Sequence, residues 1–98
     1  MSRNQPKRLH AIVSGIVQGV SFRYYTTQEA NHLGIVGWVR NLPDKTVEVV
    51  AEGEFETLDS FLQFLHRGSP HAKVSDVSYT WLDATQEFST FETRYSRD

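Results

Sequence analysis

Ile35-Val-Gly-Trp-Val-Arg-Asn-Leu-Pro-Asp-Lys-Thr-Val-Glu-Val-Val-Ala51 is the stretch that decides the fold. Its first part, Ile35 to Arg40, is rich in β-branched and aromatic residues and reads as a strand. Asn41-Leu-Pro-Asp-Lys45 is turn chemistry, because proline fixes φ and asparagine and aspartate favour turns. Thr46 to Ala51 is a second strand. Two strands joined by so short a turn make a hairpin, and a hairpin is antiparallel.

A helix is predicted on each side of this hairpin. From Ser21 to Leu33, apolar or small residues recur at Phe22, Thr26, Ala30 and Leu33, and Gly34 follows as a stop. From Glu54 to His66, Leu58, Phe61, Leu62 and Leu65 fall on one face, acidic residues open the segment, and Gly68 and Pro70 close it. Leu9 to Ser14 reads as a strand before the first helix, and Val74 to Leu82 as one after the second. Phe88 to Tyr95 is read as a last strand at an edge. The order is β-α-β-β-α-β plus an edge strand. That is the α+β, ferredoxin-like split βαβ arrangement, an antiparallel sheet with two helices on one face. The architecture hosts many activities, so it does not give the function.

The chain has 98 residues, which suits one domain over 1–98 with a core at about 9–95 and a polar tail at 1–8. A hydrophobic fraction of 39% is that of a globular domain rather than a disordered one. There is no cysteine, which rules out a disulfide framework or a zinc-thiolate site. No apolar run reaches membrane-spanning length, and the polar start lacks the apolar stretch of a secretory signal. A cytoplasmic protein without membrane contact is therefore expected. Net charge is −2, without the positive excess of a nucleic-acid-wrapping domain.

The chemistry points to Gly15-Ile-Val-Gln-Gly-Val-Ser-Phe-Arg23. Here a strand-like run passes through two glycines into the start of a helix. Glycines let backbone N–H groups approach a ligand closely. A helix N-terminus offers unpaired donors and a positive dipole end. Arg23 adds a permanent charge and a forked donor set suited to phosphate. The expected cradle is the backbone of Gly15, Ile16, Val17, Gln18, Gly19 and Val20, with Arg23 completing it. Taken alone, the segment is equally a tight turn followed by a solvated arginine.

This segment resembles one signature of the acylphosphatases, roughly G-x-V-Q-G-V-x-F-R. Gly37-Trp-Val-Arg-Asn-Leu-Pro-Asp44 with Thr46-Val-Glu-Val-Val-Ala-Glu-Gly53 resembles the other. The likeness runs from about Leu9 to Tyr95 and implies the same split βαβ fold. It implies hydrolysis of acyl phosphates, with Arg23 binding the phosphoryl group and Asn41 orienting the attacking water. Without the resemblance, Asn41 reads as a turn-forming asparagine. The residue inventory agrees with the implied reaction. A carboxylate is already a stable leaving group, so neither a phospho-enzyme nor a general acid is required, and no metal or other cofactor is expected. Phosphoryl transfer is mostly positioning and charge stabilisation.

Two positions depart from the family pattern. Ser21 stands where glycine is frequent, and its hydroxyl is expected to cap the first helix. Lys45 stands where the turn often has glycine. A left-handed backbone would cost lysine about 1 kcal/mol, so a different turn type is expected.

The remaining polar residues carry no further site. His10, His32, His66 and His71 show no metal-ligand spacing. Glu52, Glu54 and Glu56 are read as an acidic opening to the second helix. Tyr24, Tyr25, Trp38, Tyr79 and Trp81 are read as packing or sheet surface, since the K/R-G-F/Y pattern of RNA-stacking sheets is missing. The expected partner is a small acyl phosphate and the expected state a monomer. A non-catalytic anion-binding module on the same scaffold is the competing class, and a nucleic-acid-binding domain the third.

Overall fold

The computed structural model describes residues 5–95, so residues 1–4 and the tail Ser96–Asp98 lie outside it. Its elements follow in the order β1 (Lys7–Ile16), α1 (Phe22–Leu33), β2 (Val36–Asn41), β3 (Val47–Gly53), α2 (Phe55–Arg67), β4 (Lys73–Asp83) and β5 (Phe91–Arg94). The sheet runs β4-β1-β3-β2-β5. Strands β4, β1, β3 and β2 pair antiparallel, as the hairpin predicts for β2 and β3. The expectation of an antiparallel sheet needs one correction: β5 lies parallel to β2, from Gly37 opposite Phe91 to Arg40 opposite Arg94. It is also shorter than predicted, because 88–90 lie outside the strand.

One face of the sheet is the core face. Leu9, Ala11 and Val13 alternate on β1, Val47, Val49 and Ala51 on β3, and all are fully buried under the two helices. The period-2 pattern makes that face, and the helices supply its cover. On α2 the predicted stripe of Leu58, Phe61, Leu62 and Leu65 is buried, with Phe64 added. Phe61 stacks on Phe64 at 6.4 Å and meets Phe91 edge-on at 5.9 Å. Truncating such a ring to alanine costs roughly 3–5 kcal/mol. On α1, Phe22, Thr26 and Ala30 are buried, as the spacing predicts.

The other face carries charged ladders. Glu48 Oε2 and Oε1 meet His10 Nε2 at 2.7 Å and Arg40 Nε at 2.8 Å. Arg40 and Arg94 each place a guanidinium over Trp38, at 5.2 and 5.1 Å.

Glu52 corrects the expected acidic helix opening. It is a β3 residue, only 3% exposed, and Arg8 Nε donates to its Oε2 at 2.7 Å. The N–H groups of Thr85 and Gln86 also donate to it, both at 2.9 Å. Burial pushes its pKa up, but these donors outweigh burial and hold it below the ordinary value. The glutamate thus ties the β4–β5 connection to β3. The same contact explains why β1 starts early: Arg8 is anchored across the sheet, so Lys7 and Arg8 belong to the strand and not to a tail.

Candidate active site

The site forms where β1 and β2 end. Val13 pairs with Val47, and Val47 with Asn41, so the two strand ends lie at the same end of the sheet with β3 between them. Two interstrand spacings place Asn41 roughly 10 Å from Val13 across the sheet. The loop after β1 then turns into α1 beside Asn41.

This loop is shorter than the sequence suggests. Gly15 and Ile16 are strand residues, opposite Val74 and Lys73, beyond a register shift after Ser14. Gly15 has φ 125°, and a Cβ there would fall 2.1 Å from Lys73 O. Its glycine therefore serves close strand approach as well as the turn. The loop proper is 17–21, and Gly19 within it has φ 75° with open space where a Cβ would be. Among the described residues, the first backbone N–H after β1 to meet a backbone carbonyl is that of Tyr25, which donates to Ser21 O at 3.1 Å.

Two side chains hold the loop in place, and sequence reasoning missed both. Gln18 Nε2 donates to Leu42 O and to Thr46 O, each at 2.9 Å. This pins the loop to the turn that follows Asn41. Ser69 Oγ donates to Val20 O at 2.9 Å and is buried. The family-like motif contains Gln18 but does not show that its side chain, rather than its backbone, makes these bonds. Ser69 has no signal beyond its place after the α2 stop.

Both departures from the family pattern keep a glycine-like backbone. Ser21 has φ 60° and its side chain makes no cap bond, which corrects the expected cap. A capping residue normally has extended φ/ψ, and the left-handed geometry turns the hydroxyl away from that role. Lys45 has φ 76°, so the turn does not change type. It is closed by Lys45 N–H to Leu42 O at 3.1 Å and Leu42 N–H to Thr46 O at 2.9 Å. Asp44 accepts from Thr46 Oγ1 and, at 3.1 Å, from Thr46 N–H, and these bonds lower its pKa.

Arg23 and Asn41 line one cleft of about 290 Å³, together with Val17, Gly19, Tyr24 and Tyr95 among others. Gly15, Ile16 and Gln18 face a separate surface hollow beside Lys45. Arg23 is half-buried. One of its N–H groups donates to Arg94 O at 3.1 Å, and its guanidinium lies 5.0 Å from the Tyr95 ring. Its other contacts include no carboxylate among the described residues, so its charge is not cancelled there. Asn41 Oδ1 is buried and accepts from none of the described residues. The described residues include no group of three or more His, Cys, Asp or Glu placed to hold a metal ion.

A family model described as Acylphosphatase matches residues 9–93. The chain is 50% identical to the acylphosphatase of Marinobacter nauticus over 88 residues, covering 90% of this chain and 96% of that protein. It superposes on the crystal structure of acylphosphatase from Bacillus subtilis with TM-score 0.88 at 39% identity, covering 91% and 99% of the two chains. For the acylphosphatase structure from Coxiella burnetii the TM-score is 0.86 at 37% identity, covering 92% and 94%. Fold and relatives together define a small α+β hydrolase. The chain belongs to the acylphosphatase family and hydrolyses acyl phosphates to a carboxylate and inorganic phosphate.

Proposed function

We propose that Arg23 and the N–H groups of the loop and first turn of α1 bind the phosphoryl group while Asn41 places the water that attacks it. The observation that carries this reading is the state of Asn41. Its amide lines the cleft that holds Arg23, yet its buried Oδ1 has no donor among the described residues. Such an oxygen costs about 1–3 kcal/mol unless a donor is supplied. Turned about its side-chain torsion so that this oxygen meets the cleft, the amide accepts from a water whose lone pair is then free for phosphorus. The amide NH₂ can donate to a phosphoryl oxygen.

The charge balance follows the same line. The phosphoryl oxygens meet a guanidinium not paired with any described carboxylate, at a helix N-terminus. The acyl oxygen leaves as a carboxylate and needs no proton. Water loses its proton on forming phosphate. This scheme uses no metal and no phospho-enzyme, and the enzyme acts as a monomeric single domain in the cytoplasm, without nucleic-acid or membrane contact. A net charge of −2 supports the part concerning nucleic acid. No helix of the described residues is long and apolar enough to cross a membrane.

The test is phosphate release from acetyl phosphate with EDTA present, for wild type, Arg23→Ala and Asn41→Ala. Arg23→Ala is expected to lose on the order of 10³-fold or more in rate, in line with other phosphoryl-transfer arginines. Both variants should keep the wild-type circular dichroism. An Arg23→Ala enzyme with full activity would end the scheme.

A further inference from the structure

Arg23 belongs to a helix and Asn41 to a strand, so the spacing between them depends on what holds α1 to β2. β5 lies between the two. It pairs with β2, Val39 opposite Thr93 and Arg40 opposite Arg94. It meets α1 through two hydrogen bonds: Arg23 donates to Arg94 O at 3.1 Å, and the Thr27 and Thr93 hydroxyls are joined at 2.7 Å. β5 has only 4 residues and, among the described residues, β2 is its one neighbour in the sheet. So short a parallel ladder fixes a strand weakly, and side-chain contacts must complete its placement. Phe91 anchors its start on Phe61. Near its end that task falls to Thr93.

The two threonines are well placed for it. Thr27 follows Arg23 by one turn on the same helix face. Thr93 immediately precedes Arg94, whose carbonyl takes the Arg23 N–H. Both threonines are half-buried, and β-branching leaves each side chain few rotamers. Thr93 lines the cleft with Arg23 and Asn41, whereas Thr27 is not among its lining residues. We propose that Thr27 and Thr93 are positioning residues. Their hydroxyl bond locks β5 to α1, and through Arg94 O it holds the Arg23 guanidinium in register with Asn41. This rests on the phosphoryl-binding and water-placing roles of Arg23 and Asn41.

The test is steady-state hydrolysis of acetyl phosphate by Thr27→Val, Thr93→Val, the double valine variant, Thr27→Ser and Thr93→Ser, beside wild type and Arg23→Ala. Valine removes the hydroxyl and serine keeps it. A shift of about 1 Å in a reacting group can cost about 10²-fold in rate. With one of several constraints lost, kcat should fall roughly ten-fold in each valine variant. KM should move by less than about three-fold, because the guanidinium charge remains. The double variant should be no slower than the slower single one, since the two hydroxyls form one bond. Each serine variant should stay within about two-fold of wild type. All should melt within about 8 °C of wild type, which separates positioning from loss of fold. Undiminished kcat in a folded Thr27→Val enzyme overturns the proposal. So does a serine variant as slow as its valine counterpart, or a loss confined to Thr93→Val, which would make that hydroxyl a substrate contact instead. Full activity in Arg23→Ala would fail the phosphoryl-binding reading itself, whereas loss there beside an undiminished Thr27→Val fails the positioning alone.

Discussion

Replacing Gly15 and Gly19 separately by alanine should give two very different proteins. Both glycines have positive φ, 125° and 75°, so each alanine meets backbone strain. That strain is about 1–2 kcal/mol. Each alanine also restricts the unfolded chain, which returns roughly 0.4–1 kcal/mol. Only Gly15 adds a collision. Its Cβ would fall 2.1 Å from Lys73 O and 2.7 Å from Ser75 N, both backbone atoms of β4 that cannot swing aside. At Gly19 nothing lies within 4 Å. Forcing β1 and β4 apart adds about 1–3 kcal/mol, as overpacking does elsewhere. At the middle of these ranges the net loss is about 3 kcal/mol for Gly15→Ala and about 1 kcal/mol for Gly19→Ala. For a domain of this size each kcal/mol lowers Tm by roughly 4–8 °C. Thermal unfolding followed by circular dichroism should put Gly15→Ala roughly 12–24 °C below wild type, with Gly19→Ala no more than about 8 °C below. Equal shifts in the two variants would refute the assignment of Gly15 to strand contact.

Gln18→Ala removes the donor from Leu42 O and Thr46 O. It should cost about 1–2 kcal/mol in urea unfolding, and it should lower kcat/KM by loosening the loop relative to Asn41. Unchanged stability and activity would mean that the pin is idle. Ser21→Gly should stabilise the protein by about 0.5–1 kcal/mol, because strain is relieved and no cap bond is lost. A lowered urea midpoint would contradict this. Glu48 and Glu52 both have depressed pKa values: burial pushes each up, but hydrogen bonds and the paired guanidinium and imidazole groups outweigh it. The stability they confer is therefore present above the ordinary carboxyl pKa of about 4.3 and is lost as pH falls below it through the folded values. Unfolding free energy measured from pH 7 to pH 3 should fall in that window, and Glu52→Gln should flatten the fall. An identical slope in that variant would remove Glu52 from the account.

The features legible in the sequence are those set by near neighbours. The hairpin follows from Pro43 and Asp44 between two β-branched runs. Helix α2 follows from a stripe repeated over three turns. These gave the split βαβ order and one antiparallel sheet. The ends of β1 were not legible, because they depend on partners far along the chain: Arg8 on Glu52, and Gly15 on β4. The direction of β5 was hidden for the same reason, since a strand of 4 residues takes its pairing from tertiary context. Glu52 looked like a helix-opening acid because its sequence neighbours Glu54 and Glu56 flank α2, although its own backbone is in β3. For the site, the two motifs named Arg23 and Asn41, and the fold brings both to the lining of one cleft. The motif pattern placed glycine where Ser21 and Lys45 stand, and both keep the left-handed backbone. What the Gln18 side chain does depends on the position of two carbonyls across the fold, which no local pattern encodes.

The central claim is that water attacks phosphorus, not the carbonyl carbon. Hydrolysis of acetyl phosphate by the wild-type enzyme in ¹⁸O-labelled water, with both products analysed by mass spectrometry, tests it most directly. Attack by a water held at Asn41 on a phosphoryl group held at Arg23 puts the label in inorganic phosphate and leaves the acetate unlabelled. Label in the acetate would mean that the carbonyl carbon is attacked, and the assigned roles of Arg23 and Asn41 would be wrong.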